Sequence, residues 1–351
     1  MALSFNYDMS AKDVMHHPEI GKRVELMKKA GVEHVWLFAY FYGRHESNPE
    51  TLYQARKRLL EEGFQTGVIS LPVGHPGNSL NPDDDTLELQ IKNTWQYRVD
   101  RNGKNEYFSA CINEEMIKDN LLAAKEYAQM GFTRHFFDDD LRLGNWQGPI
   151  QGCFCDRCIE KFNAKYHLQC DRAVLKRAAD EEAGLEDLTI KWIEFNCEKL
   201  TAFMKETNIP EMQSGIMVMH NGDERHGISI PDIKKAVPDC LFRVGEMFFN
   251  DETYSKEKYR DMLKAGVKKH LALIGENSAY SETTVFPAAA MSTENFLHRM
   301  HTEIELGLRN IFLMSGTWFY TEPYWNTIIE NRSALEEKAA RLDALKKPGV
   351  C

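Results

Sequence analysis

One phrase recurs along the chain. An amphipathic, charged run ends at a glycine, an apolar residue follows, two or three polar residues come next, and an apolar stretch begins. It reads KKAGVEHVWLF at Gly31, LEEGFQTGVI at Gly63, AQMGFTRHFF at Gly131, LKAGVKKHLALI at Gly266 and IELGLRNIFLM at Gly307. A helix stops where one residue can take positive φ, which glycine does without strain, and the next apolar side chain packs back on the last turn. A helix that stops straight into a buried strand is an αβ loop. Its repetition implies a repeated βα architecture with a parallel sheet.

Eight apolar stretches read as strands, at 3–7, 34–41, 66–72, 134–138, 214–220, 241–248, 271–276 and 310–316. They are rich in Val, Ile, Leu, Phe and Met without strict alternation, as strands covered on both faces should be. Helical spacing lies between them. Ile20, Val24 and Met27 step by four and three, as do Leu52, Ala55 and Leu59, and Asn113 caps the run of Ile117, Leu121, Ala124 and Ala128. A charged, Ala-rich helix near 326–345 closes the chain. Eight βα units in 351 residues are expected to form a single (β/α)8 TIM-barrel domain over 1–351. An open doubly wound sheet is the rival, but no G-x-G-x-x-G follows any strand. Two insertions, about 73–112 and 141–190, leave the C-terminal ends of strands three and four, where barrel active sites are built.

The excess of 53 acidic over 43 basic side chains gives a net charge of −10, which argues against a nucleic-acid groove or an anionic membrane surface as partner. No stretch of about 18 apolar residues is present, and MALSFNYDMS lacks the basic and apolar regions of a signal peptide. Eight cysteines in a chain this long do not make a disulfide framework, so a reduced, cytoplasmic protein is expected. A homo-oligomer is compatible with this reading.

Three of those cysteines form Cys153-x-Cys155-x-x-Cys158. Three thiols on one tight loop read as ligands of a tetrahedral zinc, which needs a fourth. Cys111, on the preceding insertion, is the natural candidate, with Asp156 or His167 as substitutes. A closed four-thiolate site is structural and leaves no open position for catalysis. No organic cofactor is expected.

An acidic end to strand four, the run C-F-C-D-R-C-I-E-K-F from Cys153 to Phe162, and one Cys about forty residues upstream resemble the family 42 glycoside hydrolases. The resemblance covers residues 105–165 most closely. It implies a TIM-barrel β-galactosidase-type catalytic domain, a structural zinc, and catalytic carboxylates at the ends of strands four and seven. The chain departs from the family in two places. Asp139-Asp140 stands where the family has Asn-Glu, and the chain stops after the eighth helix, where the family continues. A distant or separate glycosidase family on this scaffold is therefore expected, acting on a small saccharide or glycoside.

Glycoside hydrolysis needs one carboxyl to protonate the leaving oxygen and another to attack the anomeric carbon or activate water. Asp139 or Asp140 is the candidate acid, since crowded like charges raise one pKa. Glu276, after the apolar run LALIG, is the candidate nucleophile or base, and Glu246 is a third candidate, alternatively orienting a hydroxyl or an arginine. His220 and Asn221 are placed to bind sugar hydroxyls, and Trp146 and Trp318 to stack on sugar faces. Two rival functions remain: a metal-dependent isomerase or aldolase using His220, Glu246, Glu276 and the aspartates, and a saccharide-binding barrel without turnover.

Overall fold

A computed structural model describes residues 2–73, 82–83, 90–138, 141–144, 150–218, 224–314 and 319–346. The strands are β1 (Ser4–Ser10), β2 (Val32–Phe41), β3 (Arg44–His45), β4 (Gln65–Leu71), β5 (Tyr97–Val99), β6 (Asn105–Ala110), β7 (Arg134–Phe137), β8 (Gln213–Met217), β9 (Leu241–Arg243), β10 (Ala279–Tyr280), β11 (Thr283–Thr284) and β12 (Asn310–Met314). The helices are α1 (Ala11–His16), α2 (Ile20–Ala30), α3 (Pro49–Glu61), α4 (Glu114–Gln129), α5 (Asp156–Tyr166), α6 (Arg172–Ala179), α7 (Glu186–Thr207), α8 (Ile230–Ala236), α9 (Asp251–Tyr254), α10 (Glu257–Ile274), α11 (Thr293–Leu306) and α12 (Glu322–Lys346).

The main sheet runs β1-β12-β10-β9-β8-β7-β4-β2, and β2 pairs back with β1, so the eight-stranded parallel sheet closes on itself. Closure by eight strands, each reached through helices, is the (β/α)8 barrel. Hydrogen bonds run in register from Ser4 against Asn310 to Tyr7 against Leu313 on one side of β1, and from Asn6 against His34 to Ser10 against Phe38 on the other. The short β3 folds back antiparallel on the end of β2.

Four of the five recurring phrases behave as expected: Gly31, Gly63, Gly131 and Gly307 all take positive φ at the ends of helices. Gly266 does not. It lies inside α10, which runs on to Ile274 and stops at Gly275, with φ 86°. The reason is in the side-chain spacing: Leu263, Val267, His270 and Ile274 step by four, three and four, and all four are buried on one face. Leu273 faces outward, 38% exposed. The expected strand at 271–276 is therefore the last turn of a helix. The seventh strand is the short β10, resumed after two residues as β11; both lie parallel to β12.

The chain divides into two compact units, one of Met1–Ala39, Ser47–Val68 and Leu241–Cys351, the other of Tyr40–Glu46 and Ile69–Cys240. The first is built on buried aromatics. Tyr7 sets its ring edge against Trp325 at 5.0 Å and Tyr320 at 5.5 Å, and Trp36 donates from Nε1 to Asn6 Oδ1 at 3.1 Å. Gly67 makes room for that indole, since a Cβ there would lie 2.5 Å from the Trp36 ring. The second unit carries both insertions. One forms the β5–β6 hairpin; the other packs Ile150, Phe154, Phe162, Leu175, Trp192 and Phe195 into a satellite core between α5, α6 and α7.

Candidate functional site

Two buried clusters carry chemistry, one in each unit. In the second unit the sulfurs of Cys111, Cys153, Cys155 and Cys158 all lie within 4.8 Å of one another. Local structure explains this. Cys155 is the N-cap of α5 and Cys158 stands one turn on, so both sulfurs sit at the same end of the helix, where the helix dipole favours thiolate. Cys111 follows β6, its backbone fixed by an N–H bond to Gln96 O at 2.8 Å. Cys111 Sγ stands 3.7 Å from Cys158 Sγ and 3.9 Å from Cys155 Sγ. These are too long for disulfides. They match the edges, about 3.8 Å, of a tetrahedron with metal–sulfur bonds of about 2.3 Å. Of the three proposed fourth ligands, the structure brings Cys111 to the cluster. Hydrogen bonding, first from Cys111, holds the Cys153 thiol well below its ordinary range, and Cys155 is brought down to about 7 by the bond from Cys111. Cys111 is pushed the other way, upward, first by its bond with Cys153, and Cys158 is raised as well, so the four sulfurs share protons among themselves. Four sulfurs at this spacing can hold a metal ion.

The loop bearing Cys153 is gripped from behind. Arg98 is fully buried, pairs with Glu106, and donates to the carbonyls of Leu143 at 3.2 Å and Gly152 at 2.9 Å. Lys199, from α7, donates from Nζ to Cys158 Sγ at 3.2 Å. No sequence pattern marked either residue.

In the first unit, carboxylates and guanidinium groups cluster beside β9 and the β10–β11 junction. Glu246 lies three residues past β9 and is 0% exposed. Its Oε2 accepts from Arg299 Nη2 at 3.1 Å and its Oε1 from the backbone N–H of Glu282 at 2.9 Å. Glu282 lies between β10 and β11 and is 5% exposed. Its Oε1 pairs with Arg243 Nη2 at 3.0 Å, and its Oε2 accepts from the backbone N–H groups of Glu246 at 2.5 Å and Met247 at 3.3 Å. Glu303 of α11 accepts from Arg299 Nε at 3.0 Å and from Thr283 Oγ1 at 2.6 Å. Burial first, and the Glu246 charge second, push the Glu303 carboxyl well above the usual range.

Of the candidates read from sequence, Glu276 changes place. It does not end strand seven. It opens the short 3-10 turn between α10 and β10, on the N-terminal side of that strand, pairs with Lys346, and lies against Gly307. The carboxylate in the course of strand seven is Glu282, which sequence reasoning missed. Its signal was the alternation Tyr280, Glu282, Thr284 after a strand piece too short to stand out. Asp139, Asp140, Trp146, His220, Asn221 and Trp318 lie outside the described residues. Asp138, the residue that follows β7, donates its N–H to Ser70 O at 2.9 Å.

No protein-family profile matches the chain, and no curated protein matches it in sequence. Solved structures do match. The glycoside hydrolase domain of PgaB (BpsB) from Bordetella bronchiseptica aligns with a TM-score of 0.56 at 14% identity, over 96% of this chain and 98% of that one. The catalytic domain of β-amylase from Paenibacillus polymyxa aligns with a TM-score of 0.59 at 11% identity, over 94% and 99%. The β-galactosidase of Bacillus circulans sp. alkalophilus aligns with a TM-score of 0.64 at 11% identity, over 97% of this chain and 56% of its own. At such identities the likeness is one of fold, and these three aligned barrels are glycoside hydrolases.

Proposed function

We propose that the protein is a glycoside hydrolase acting on a small saccharide or glycoside. The observation that carries the reading is the Glu282 carboxylate, fixed in the course of the seventh strand by Arg243 and two backbone N–H groups. A carboxylate so bound is held in one orientation, as a nucleophile or base must be. Glu282 takes the role that the sequence had given to Glu276. The acid is Asp139 or Asp140, at the end of strand four. It protonates the leaving oxygen while Glu282 attacks the anomeric carbon or draws a proton from water. Trp146 and Trp318 are proposed to stack on sugar rings, with His220 and Asn221 binding hydroxyls. The likeness to glycoside hydrolase barrels supports the scaffold, and the family 42 resemblance supports the cysteine loop.

The metal in the cysteine cluster is proposed to be zinc. Four sulfurs at tetrahedral spacing fill its coordination shell, so it supplies rigidity and no open position for substrate or water.

The test is hydrolysis of a panel of aryl glycosides of both anomers by the wild type, Glu282→Gln and Glu276→Gln. Cleavage of one sugar, with a loss of about three orders of magnitude in Glu282→Gln alone, is expected. If Glu276→Gln is the dead variant, the role returns to Glu276. If nothing is cleaved by the wild type, the hydrolase reading fails.

A further inference from the structure

Glu246 and Glu282 are bound to each other crosswise. Each carboxylate accepts the other residue's backbone N–H, at 2.9 Å in one direction and 2.5 Å in the other. Neither side chain can move without unbinding the other residue's main chain. Arg299 straps this crossed pair down. It is fully buried, and besides Glu246 and Glu303 it donates to the carbonyls of Met247 at 3.0 Å, Phe248 at 3.2 Å and Glu282 at 2.7 Å. Met247 and Phe248 both take positive φ, 58° and 61°, without being glycine. Such backbone is strained and persists only where neighbours hold it. Here the holder is Arg299, and the segment held is the one whose N–H groups grip the Glu282 carboxylate.

The charges are paired as well. Three carboxyls (Glu246, Glu282, Glu303) meet two guanidinium groups (Arg243, Arg299), so each buried cation has an anionic partner inside the cluster.

We propose that Glu246 is the positioning residue for the Glu282 carboxylate, and that Arg299 and Glu303 hold Glu246 to that task. The proposal rests on the reading of Glu282 as the reacting carboxylate. Glu246 itself does not touch the substrate. It fixes the main chain of Glu282 from one side, while its own main chain fixes the Glu282 side chain from the other. Removing its charge leaves Arg299 short of one anion and loosens the turn at Met247 and Phe248, so the Glu282 carboxylate loses its aim. A reacting group misplaced by about 1 Å costs on the order of a hundredfold in rate.

The experiment measures kcat and KM of the full chain on a cleaved aryl glycoside for the wild type, Glu246→Gln, Glu246→Asp and Glu282→Gln, with thermal midpoints alongside. Glu246→Asp keeps the charge for Arg299 but shortens the reach to the Glu282 N–H by about 1.5 Å, and it is the variant to use if Glu246→Gln does not fold. Both Glu246 variants are expected to lose about ten- to a hundredfold in kcat with KM within about twofold of the wild type. Two alanine variants complete the set: formate or azide is expected to restore turnover in Glu282→Ala, by occupying the place of the lost carboxylate, and not in Glu246→Ala. A wild-type kcat in the folded Glu246 variants overturns the positioning role. So does rescue of Glu246→Ala by formate, which would make Glu246 the reacting group. Full activity in Glu282→Gln, with the wild type active, instead overturns the assignment of Glu282 on which this proposal stands. A wild type that cleaves nothing overturns both.

Discussion

At the scale of single residues, the charge balance of buried groups decides most of what can be expected. Four thiolates around a divalent ion leave a net charge of −2, and Lys199 Nζ, 3.2 Å from Cys158 Sγ, offsets half of it. Lys199→Met is therefore expected to weaken metal binding about tenfold, in the range of lost partners to a metal's ligands, whereas Lys199→Arg keeps it. Competition with a chromophoric chelator reads the difference without reference to activity. His135 gives a second expectation. It is buried, 2.8 Å from Ser70 Oγ, and desolvation brings it down to about 3 from 6.5. Between those values the unfolded chain binds a proton that the folded chain refuses, so stability falls as pH falls, by about 1.4 kcal/mol per pH unit from this group. The thermal midpoint of His135→Gln should therefore drop less steeply across that window than that of the wild type; equal slopes would rule the group out. The cysteines were legible in the sequence because metal ligands need fixed chemistry at close spacing. Glu282 was not, because a carboxylate's worth depends on who binds it, and Arg243 and the Met247 N–H are distant in sequence.

At the scale of elements, the chain was read well where helix and strand patterns differ and misread where they coincide. LALIG is apolar enough for a strand, yet Leu263, Val267, His270 and Ile274 bury one helical face, and α10 absorbs the whole run through Gly266. A glycine inside a helix costs only about 1 kcal/mol, which four buried side chains easily outweigh. That one displaced boundary moved strand seven by eight residues at its start and took the candidate carboxylate with it. The insertion after β7 behaves differently. Its α5 is short, 11 residues, and one end of it carries two of the four clustered cysteines. Removing the metal with a strong chelator should therefore loosen the start of α5 and the loop at Gly152 and Cys153. Hydrogen exchange is expected to rise there and around Cys111, while β10, β11 and α11 keep their protection. Unchanged exchange at Cys153–Cys158 would mean that Arg98 and the satellite core hold the loop unaided.

At the scale of the whole molecule, the closed barrel was visible because its signal is repeated. Four glycine stops and seven of eight strands agreed with one architecture, and a single misplaced element could not undo a count of eight. The site had no such redundancy. Each of its side chains occurs once, and several lie at the ends of strands, where the pattern that marks a strand gives out. Among the described residues no helix is long and apolar enough to cross a membrane. Hydrolysis of an aryl glycoside, with Glu282→Gln silent, would join the fold to an activity.

The crossed binding of Glu246 and Glu282 also constrains how such a protein could change over generations. A substitution at either position strands a main-chain donor belonging to the other, so the first step away from this pair is unfavourable whichever residue takes it. The second step recovers little unless Arg299 also loses its buried charge. The pair and its arginine would therefore be inherited as a block, kept or exchanged together, while the loops around them remained free to drift.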